Sequence, residues 1–280
     1  MNPTPYPNLN GLLNELVTKL EAALGSSMVG AYLQGSLAVG DFDQLSDIDF
    51  IVVTELDLTP GQVDALNRLH EEIYGLGGRY APDCPCPLGP ASPDRWETSL
   101  EGSYFPRGVL KPWTSTSPLW YLDNGATRLE RNDHDNNLVA RWVLRERGTV
   151  LFGPSTASLV DPVDPFLLRC EVLEDMKFIV GDFADSFWNS RFGQPYAVLN
   201  FCRMLMTMST AEIHSKKAGV AWALGTLDAR WSPLIERAWS ARGKGHVSEL
   251  ADPAEYAETI RFIEAALPVA EQYLSESRNA

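Results

Sequence analysis

Leu12, Leu13, Leu16, Val17, Leu20, Ala23 and Leu24 recur at the three-and-four spacing of an amphipathic helix, and Gly25 supplies its stop signal. The pattern then changes period. Val29 to Gln34 reads as a short buried strand and Phe50-Ile51-Val52-Val53 as a second one. Asp64 to Tyr74 predicts another helix, ending near Gly75 to Gly78, and the Pro-rich segment Pro82 to Pro93 predicts a loop. Trp96 to Leu100 reads as a third strand with Glu101 and Gly102 at its end, Leu119 to Leu122 as a fourth, and Asn137 to Arg147 as a helix. Beyond Phe152-Gly153-Pro154 a Pro-punctuated stretch leads through Pro165 into almost unbroken helical periodicity. Helices are expected around Leu167 to Phe187, Gln194 to His214, Ser215 to Leu227, Pro233 to Ala241 and Pro253 to Leu274. We therefore divide the chain into residues 1–155, which mix strands and helices, and residues 156–280, which are helical throughout.

The candidate chemistry lies where the first two strands face one another in sequence. Gly35-Ser36 leaves the first strand as a tight turn whose backbone N–H groups can approach phosphate oxygens. Asp47-Ile48-Asp49 enters the second strand, and two aspartates two residues apart on a strand project from one face and can share Mg²⁺. Each half alone is common in turns or on solvated strand ends. In this order, with apolar strands on both sides, Gly35, Ser36, Asp47 and Asp49 resemble the signature of the nucleotidyltransferase superfamily.

Composition narrows the partners. The chain has 280 residues and 45% hydrophobic content, enough to bury a core in two modest domains or one large one. Its 23 Lys plus Arg against 37 Asp plus Glu give a formal charge of −14, which disfavours nucleic acid and suits a cationic small molecule. No stretch approaches a membrane span, and the start Met1-Asn2-Pro3-Thr4-Pro5 lacks a secretory pattern, so a cytoplasmic protein is expected; a monomer is expected as well. Four cysteines fit that compartment. Cys84-Pro85-Cys86-Pro87 has no second pair or nearby histidine to complete a zinc site and reads as a loop with reduced thiols.

Transfer of AMP from ATP to a hydroxyl needs a carboxylate pair for the metal and a base for the hydroxyl proton. Glu101 is the candidate base; Glu97 shares its face under strand alternation but sits farther back. Arg145-Glu146-Arg147-Gly148 through Leu151-Phe152-Gly153-Pro154, and Arg203 to Trp222 with its Lys216 and Ala221-Trp222-Ala223, extend the likeness over nearly the whole chain. Together with the N-terminal motif they resemble the aminoglycoside nucleotidyltransferases that adenylylate streptomycin and spectinomycin. That resemblance implies an α+β fold, with an N-terminal nucleotidyltransferase domain built on a mixed β-sheet flanked by helices and a C-terminal α-helical bundle. It also implies ATP as co-substrate, Mg²⁺ on Asp47 and Asp49, Ser36 as a phosphate contact, Glu101 as catalytic base, and Arg203 and Lys216 as phosphate partners from the helical domain. Trp120 and Trp188 fall near family tryptophans that pack on the antibiotic, although core packing competes as a role for each of the eight tryptophans.

The sequence also departs from the family. After Trp188 the streptomycin-modifying members carry acidic residues, whereas here Arg191-Phe192-Gly193-Gln194-Pro195-Tyr196 has none, and Arg191 would repel a dicationic guanidino sugar unless Asp182 and Asp185 compensate. Spectinomycin is thus the expected acceptor over streptomycin, with antibiotic resistance the implied role. The run Asn132-Asp133-His134-Asp135-Asn136-Asn137 reads as a helix N-cap cluster in which His134 can also line a cleft. Two other readings stand beside this one: AMP transfer to another small metabolite or a protein hydroxyl, and a nucleotide-binding module without turnover.

Overall fold

The computed structural model describes residues 2–43, 45–83, 95–111 and 118–278. The chain folds into two compact units, the first ending at Pro162 and the second taking up the chain from Val163.

The first unit opens with α1 (Pro7–Leu24), started by its own proline and ended by Gly25 at φ 52°, a left-handed position that glycine tolerates. Strands β1 (Met28–Leu33), β2 (Ile48–Thr54), β3 (Leu100–Pro106), β4 (Leu119–Leu122), β5 (Glu130–Asn132) and β6 (Thr149–Phe152) form one mixed sheet in the order β5-β4-β3-β2-β1-β6. Only β2 and β3 run parallel. A parallel pair requires a crossover, and α3 (Pro60–Tyr74) lies in it, begun by a capping box between Thr59 and Gln62. The short α2 (Gly35–Ala38) follows β1, and α4 (Leu138–Arg147) and α5 (Thr156–Leu159) flank β6.

Strand alternation gives the sheet two different faces. Ile48, Phe50, Val52, Leu100, Tyr104 and Leu122 join the buried leucines of α1 and α3 in one apolar core. Burying each such side chain stabilises by about 1.5–3 kcal/mol. The other face carries Tyr32, Ile51, Val53, Phe105 and Leu119, packed with Leu144 of α4 and Leu159 of α5.

The expected third strand is corrected by the structure. Trp96–Thr98 is a 3-10 turn, because Trp96 is fully buried in edge contact with Tyr6 and Phe42, and Glu97 turns inward to accept from the Tyr80 N–H at 3.0 Å. The strand starts at Leu100, so Glu101 stands at its beginning. Gly102 is no terminator either: a Cβ there would lie 2.2 Å from the Phe50 carbonyl, so glycine allows the close approach of β3 to β2.

The second unit holds α6 (Pro165–Asp182), α7 (Gly193–Thr210), α8 (Lys216–Thr226), α9 (Ser232–Ala241) and α10 (Pro253–Ser277). Asp164 and Asp252 cap α6 and α10 ahead of a proline at the first helical position. Helix α7 is the centre of the packing and touches each of the other four. No described helix is long and apolar enough to cross a membrane. Cys170 and Cys202 are free thiols, and the Cys84–Pro87 run lies outside the described residues.

Candidate active site

The beginnings of β2 and β3 gather five of the expected residues. Asp49 and Glu101 are register partners on the two parallel strands, so their side chains leave the sheet on one face, next to each other. The turn after β1 reaches the same place. The Gln34 N–H donates to the Asp49 carbonyl at 3.0 Å, and Gly35, at φ 58°, presses its backbone against the Asp49 carboxylate. A Cβ on Gly35 would sit 1.9 Å from Asp49 Oδ2, so both the backbone conformation and the space require glycine. Ser36 follows with a buried Oγ that has no hydrogen-bond partner among the described residues. Asp47 precedes β2, and its Oδ1 accepts from Asn124 Nδ2.

Three oxygens of hard character, from Asp47, Asp49 and Ser36, suit a magnesium nucleotide, for which one or two carboxylates serve while phosphates and water complete the shell. Among the described residues there is no larger cluster of His, Cys, Asp and Glu that could enclose a metal by itself. The donor set therefore fits a metal that arrives with its nucleotide.

Glu101 is surrounded more closely than its sequence neighbours suggest. Burial raises its pKa above the ordinary glutamate value; the Tyr121 hydrogen bond works against that rise, Asp47 adds to it, and His134 and Asp135 act in opposite directions more weakly. The Tyr121 hydroxyl donates to Glu101 Oε1, and His134 Nε2 lies 3.5 Å from the same oxygen. Ser103, two residues along β3 and therefore on the same face, donates to Asp135 Oδ2 at 2.6 Å. The polar run before α4 thus has both suspected roles. Asn137 caps the helix by accepting from the Ala140 N–H at 2.7 Å, and His134 stands beside Glu101.

Tyr121, Asn124 and Asp135 were not singled out by sequence reasoning. For Tyr121 a signal existed, since it shares a strand face with Leu119 and Asp123, but the partner strand's register was needed to aim it at Glu101. Trp120 belongs to the opposite face. It pairs with Tyr104, packs against the α1 and α3 core, and carries the Arg131 guanidinium 4.3 Å above its ring. Strand alternation turns Trp120 away from Glu101 and into a packing position.

The remaining three expected residues lie in the second unit. Arg203 on α7 donates to Asn200 Oδ1 at 2.7 Å, and Lys216 at the start of α8 holds its ammonium 4.9 Å from the centre of the Tyr196 ring. Tyr196 and Arg203 are seven residues apart, two helical turns, and so share a face of α7. Gly219 brings α8 onto that helix: a Cβ there would meet Arg203 Cα at 2.6 Å. The two cations are thereby held by one helix pair. Trp188 is 7% exposed, stacked on Phe183 at 5.7 Å, with its indole N–H on Asp182 at 3.2 Å. Its ring is chiefly a packing element, and Asp182 is engaged with it. Arg191 faces Glu249 at 3.7 Å, and Asp185 caps the Phe187 N–H at 2.8 Å.

Residues 158–265 match the C-terminal domain of aminoglycoside adenylyltransferases. Over 267 residues, 92% of each chain, this protein is 23% identical to a spectinomycin 9-adenylyltransferase of Campylobacter jejuni. It is 25% identical over 240 residues, 82% of each chain, to one from Staphylococcus aureus. Among solved structures it is similar to spectinomycin adenyltransferase AAD(9) from Enterococcus faecialis, determined with ATP and spectinomycin. That likeness has a TM-score of 0.67 at 16% identity and covers 92% of this chain and 98% of the other, and it bears on the fold.

Proposed function

We propose that this chain is an aminoglycoside adenylyltransferase that transfers AMP from ATP to a hydroxyl of spectinomycin and releases pyrophosphate. The observation that carries the reading is the pairing of Asp49 and Glu101 on adjoining strands beneath the Gly35-Ser36 turn, which sets two carboxylates side by side, the second largely buried and hydrogen-bonded by Tyr121. The names of its relatives support the choice of acceptor.

In the proposed reaction the acceptor oxygen attacks the α-phosphorus of ATP in line with the bridging oxygen of the leaving pyrophosphate. One P–O bond forms, one breaks, and the hydroxyl proton passes to Glu101. Magnesium on Asp47 and Asp49 would neutralise phosphate charge. Ser36 and the Gly35 turn hold phosphate oxygen, and Asn124 fixes the orientation of Asp47. For Arg203 and Lys216 the proposed role is binding of nucleotide phosphate, the first as a planar fork and the second as a point charge.

The acceptor preference follows from the connection after Trp188. It offers Arg191 and no carboxylate of its own; Arg191 is offset by Glu249 at 3.7 Å, and accepting an N–H group does not cancel the charge of Asp182 or Asp185. The ground for preferring spectinomycin over a dicationic guanidino sugar is thus the lack of an added acidic residue in this connection rather than net repulsion. Incubation with Mg-ATP and either drug, followed by mass measurement, tests this. Spectinomycin should gain one AMP and streptomycin should remain unmodified or react far more slowly. Pyrophosphate release with no mass gain on spectinomycin would refute the assignment, and equal modification of both drugs would refute the preference read from this connection.

A further inference from the structure

We propose that Tyr121 is a positioning residue that holds the Glu101 carboxylate by Oε1 and so leaves Oε2 to receive the acceptor's proton. This rests on the reading of Glu101 as the base for AMP transfer.

The placement follows from strand register. Tyr121 on β4 pairs with Ser103 on β3, which makes Glu101, two residues back, its diagonal neighbour on the same face. Diagonal neighbours lie about 7–8 Å apart along the backbone, within reach of a long pair of side chains. The phenol spans that gap and donates to Oε1. His134 Nε2 approaches the same oxygen at 3.5 Å, with its ring 5.2 Å from the Tyr121 ring and tilted by 33°. Both neighbours thus act on Oε1, and neither engages Oε2.

A tyrosine hydroxyl has one proton to give. Asp123 Oδ1 is the competing acceptor at 3.3 Å, a weaker contact than that to Glu101. Burial, followed by the Glu101 hydrogen bond and by the charges of Glu101, Asp123 and Asp135, pushes the Tyr121 hydroxyl far up, so it remains a donor throughout the working range. A glutamate bonded through one oxygen loses freedom about its terminal torsion, and its second oxygen keeps a fixed direction. A misplacement of about 1 Å at a reacting group costs about 10²-fold in rate, so this restraint has a measurable value.

The test uses the full chain with Mg-ATP and spectinomycin. Tyr121→Phe should lower kcat by roughly 10- to 100-fold while leaving KM for ATP within about twofold of wild type, since the lost bond acts only on the base. In a Glu101→Gln background the same substitution should add no further loss, because Tyr121 acts through Glu101. Site-specific 3-fluorotyrosine at position 121 keeps ring and hydroxyl and should return kcat to within several-fold of wild type. Unchanged kcat in Tyr121→Phe, a fully additive loss in the Glu101→Gln background, or no recovery with fluorotyrosine would overturn the proposal. If wild-type protein itself transfers no AMP, the failure belongs to the functional reading beneath it.

Discussion

The two faces of the sheet are built from the same strands and do opposite work. On one face Phe50, Val52, Leu100 and Tyr104 close a dry core with α1 and α3. On the other, Asp49, Glu101, Ser103 and Tyr121 replace apolar residues at one end, while Ile51, Val53 and Phe105 keep the remainder sealed under α4 and α5. One residue's step along β2, from Ile48 to Asp49, crosses from a core position to the carboxylate-bearing face. The charged side is maintained by mutual contacts: Tyr121 and His134 on Glu101, Asn124 on Asp47, and Ser103 on Asp135. A buried polar group costs stability unless it is paired, and the named groups on the polar face have partners.

This contrast breaks most visibly at Asp49. Asp49→Asn should reduce AMP transfer by about 10³-fold and weaken magnesium-dependent ATP binding, with little change in melting temperature, as read by transfer assay and calorimetry. Retained magnesium-dependent binding would remove Asp49 from the metal site. Gly35→Ala comes next. The new Cβ must displace the Asp49 carboxylate and hold a left-handed backbone, so transfer should fall by about 10²-fold and stability by about 1–2 kcal/mol. A smaller effect is expected from pH. Because burial raises the Glu101 pKa, and only the ionised form accepts a proton, kcat/KM should decline as pH falls through a value above the ordinary 4.5 for a glutamate. An acid limb at or below 4.5 would contradict the buried base. The smallest catalytic effect belongs to the dry face: Trp120→Phe should cost about 1–2 kcal/mol of stability and leave KM for spectinomycin unchanged, and a raised KM would return Trp120 to the substrate site.

Alternation also decides how much of the site was legible in the sequence. Gly35, Ser36, Asp47 and Asp49 could be read because each lies within a few residues of an apolar strand whose period fixes its face. Leu119–Leu122 is bounded as expected for the same reason. Glu101 was found as a residue but misplaced as a strand end, because Gly102 looks like a turn signal until the Phe50 carbonyl is seen against it. Strand β5, with Glu130, Arg131 and Asn132, has no apolar pattern to betray it, and β6 is a four-residue edge strand hidden in the turn signals around Gly153-Pro154. Tyr121 required the cross-strand register, which depends on where Gly102 and Leu122 meet and is not encoded locally. In the helical half Asp164, Ser215 and Asp252 cap their helices, and α6 runs Pro165–Asp182 where periodicity alone places it at Leu167 to Phe187, while the burial of Trp188 among Phe183, Phe187 and Tyr196 depends on how the helices pack.

We propose that the polar face of this sheet performs the transfer, with Glu101 as its base. The most direct measurement compares Glu101→Gln with wild type for two quantities in parallel: AMP mass gained by spectinomycin and affinity for Mg-ATP. The expected result is a loss of transfer of about 10²- to 10⁴-fold with ATP affinity within a few-fold of wild type. Transfer at the wild-type rate in Glu101→Gln would contradict the account.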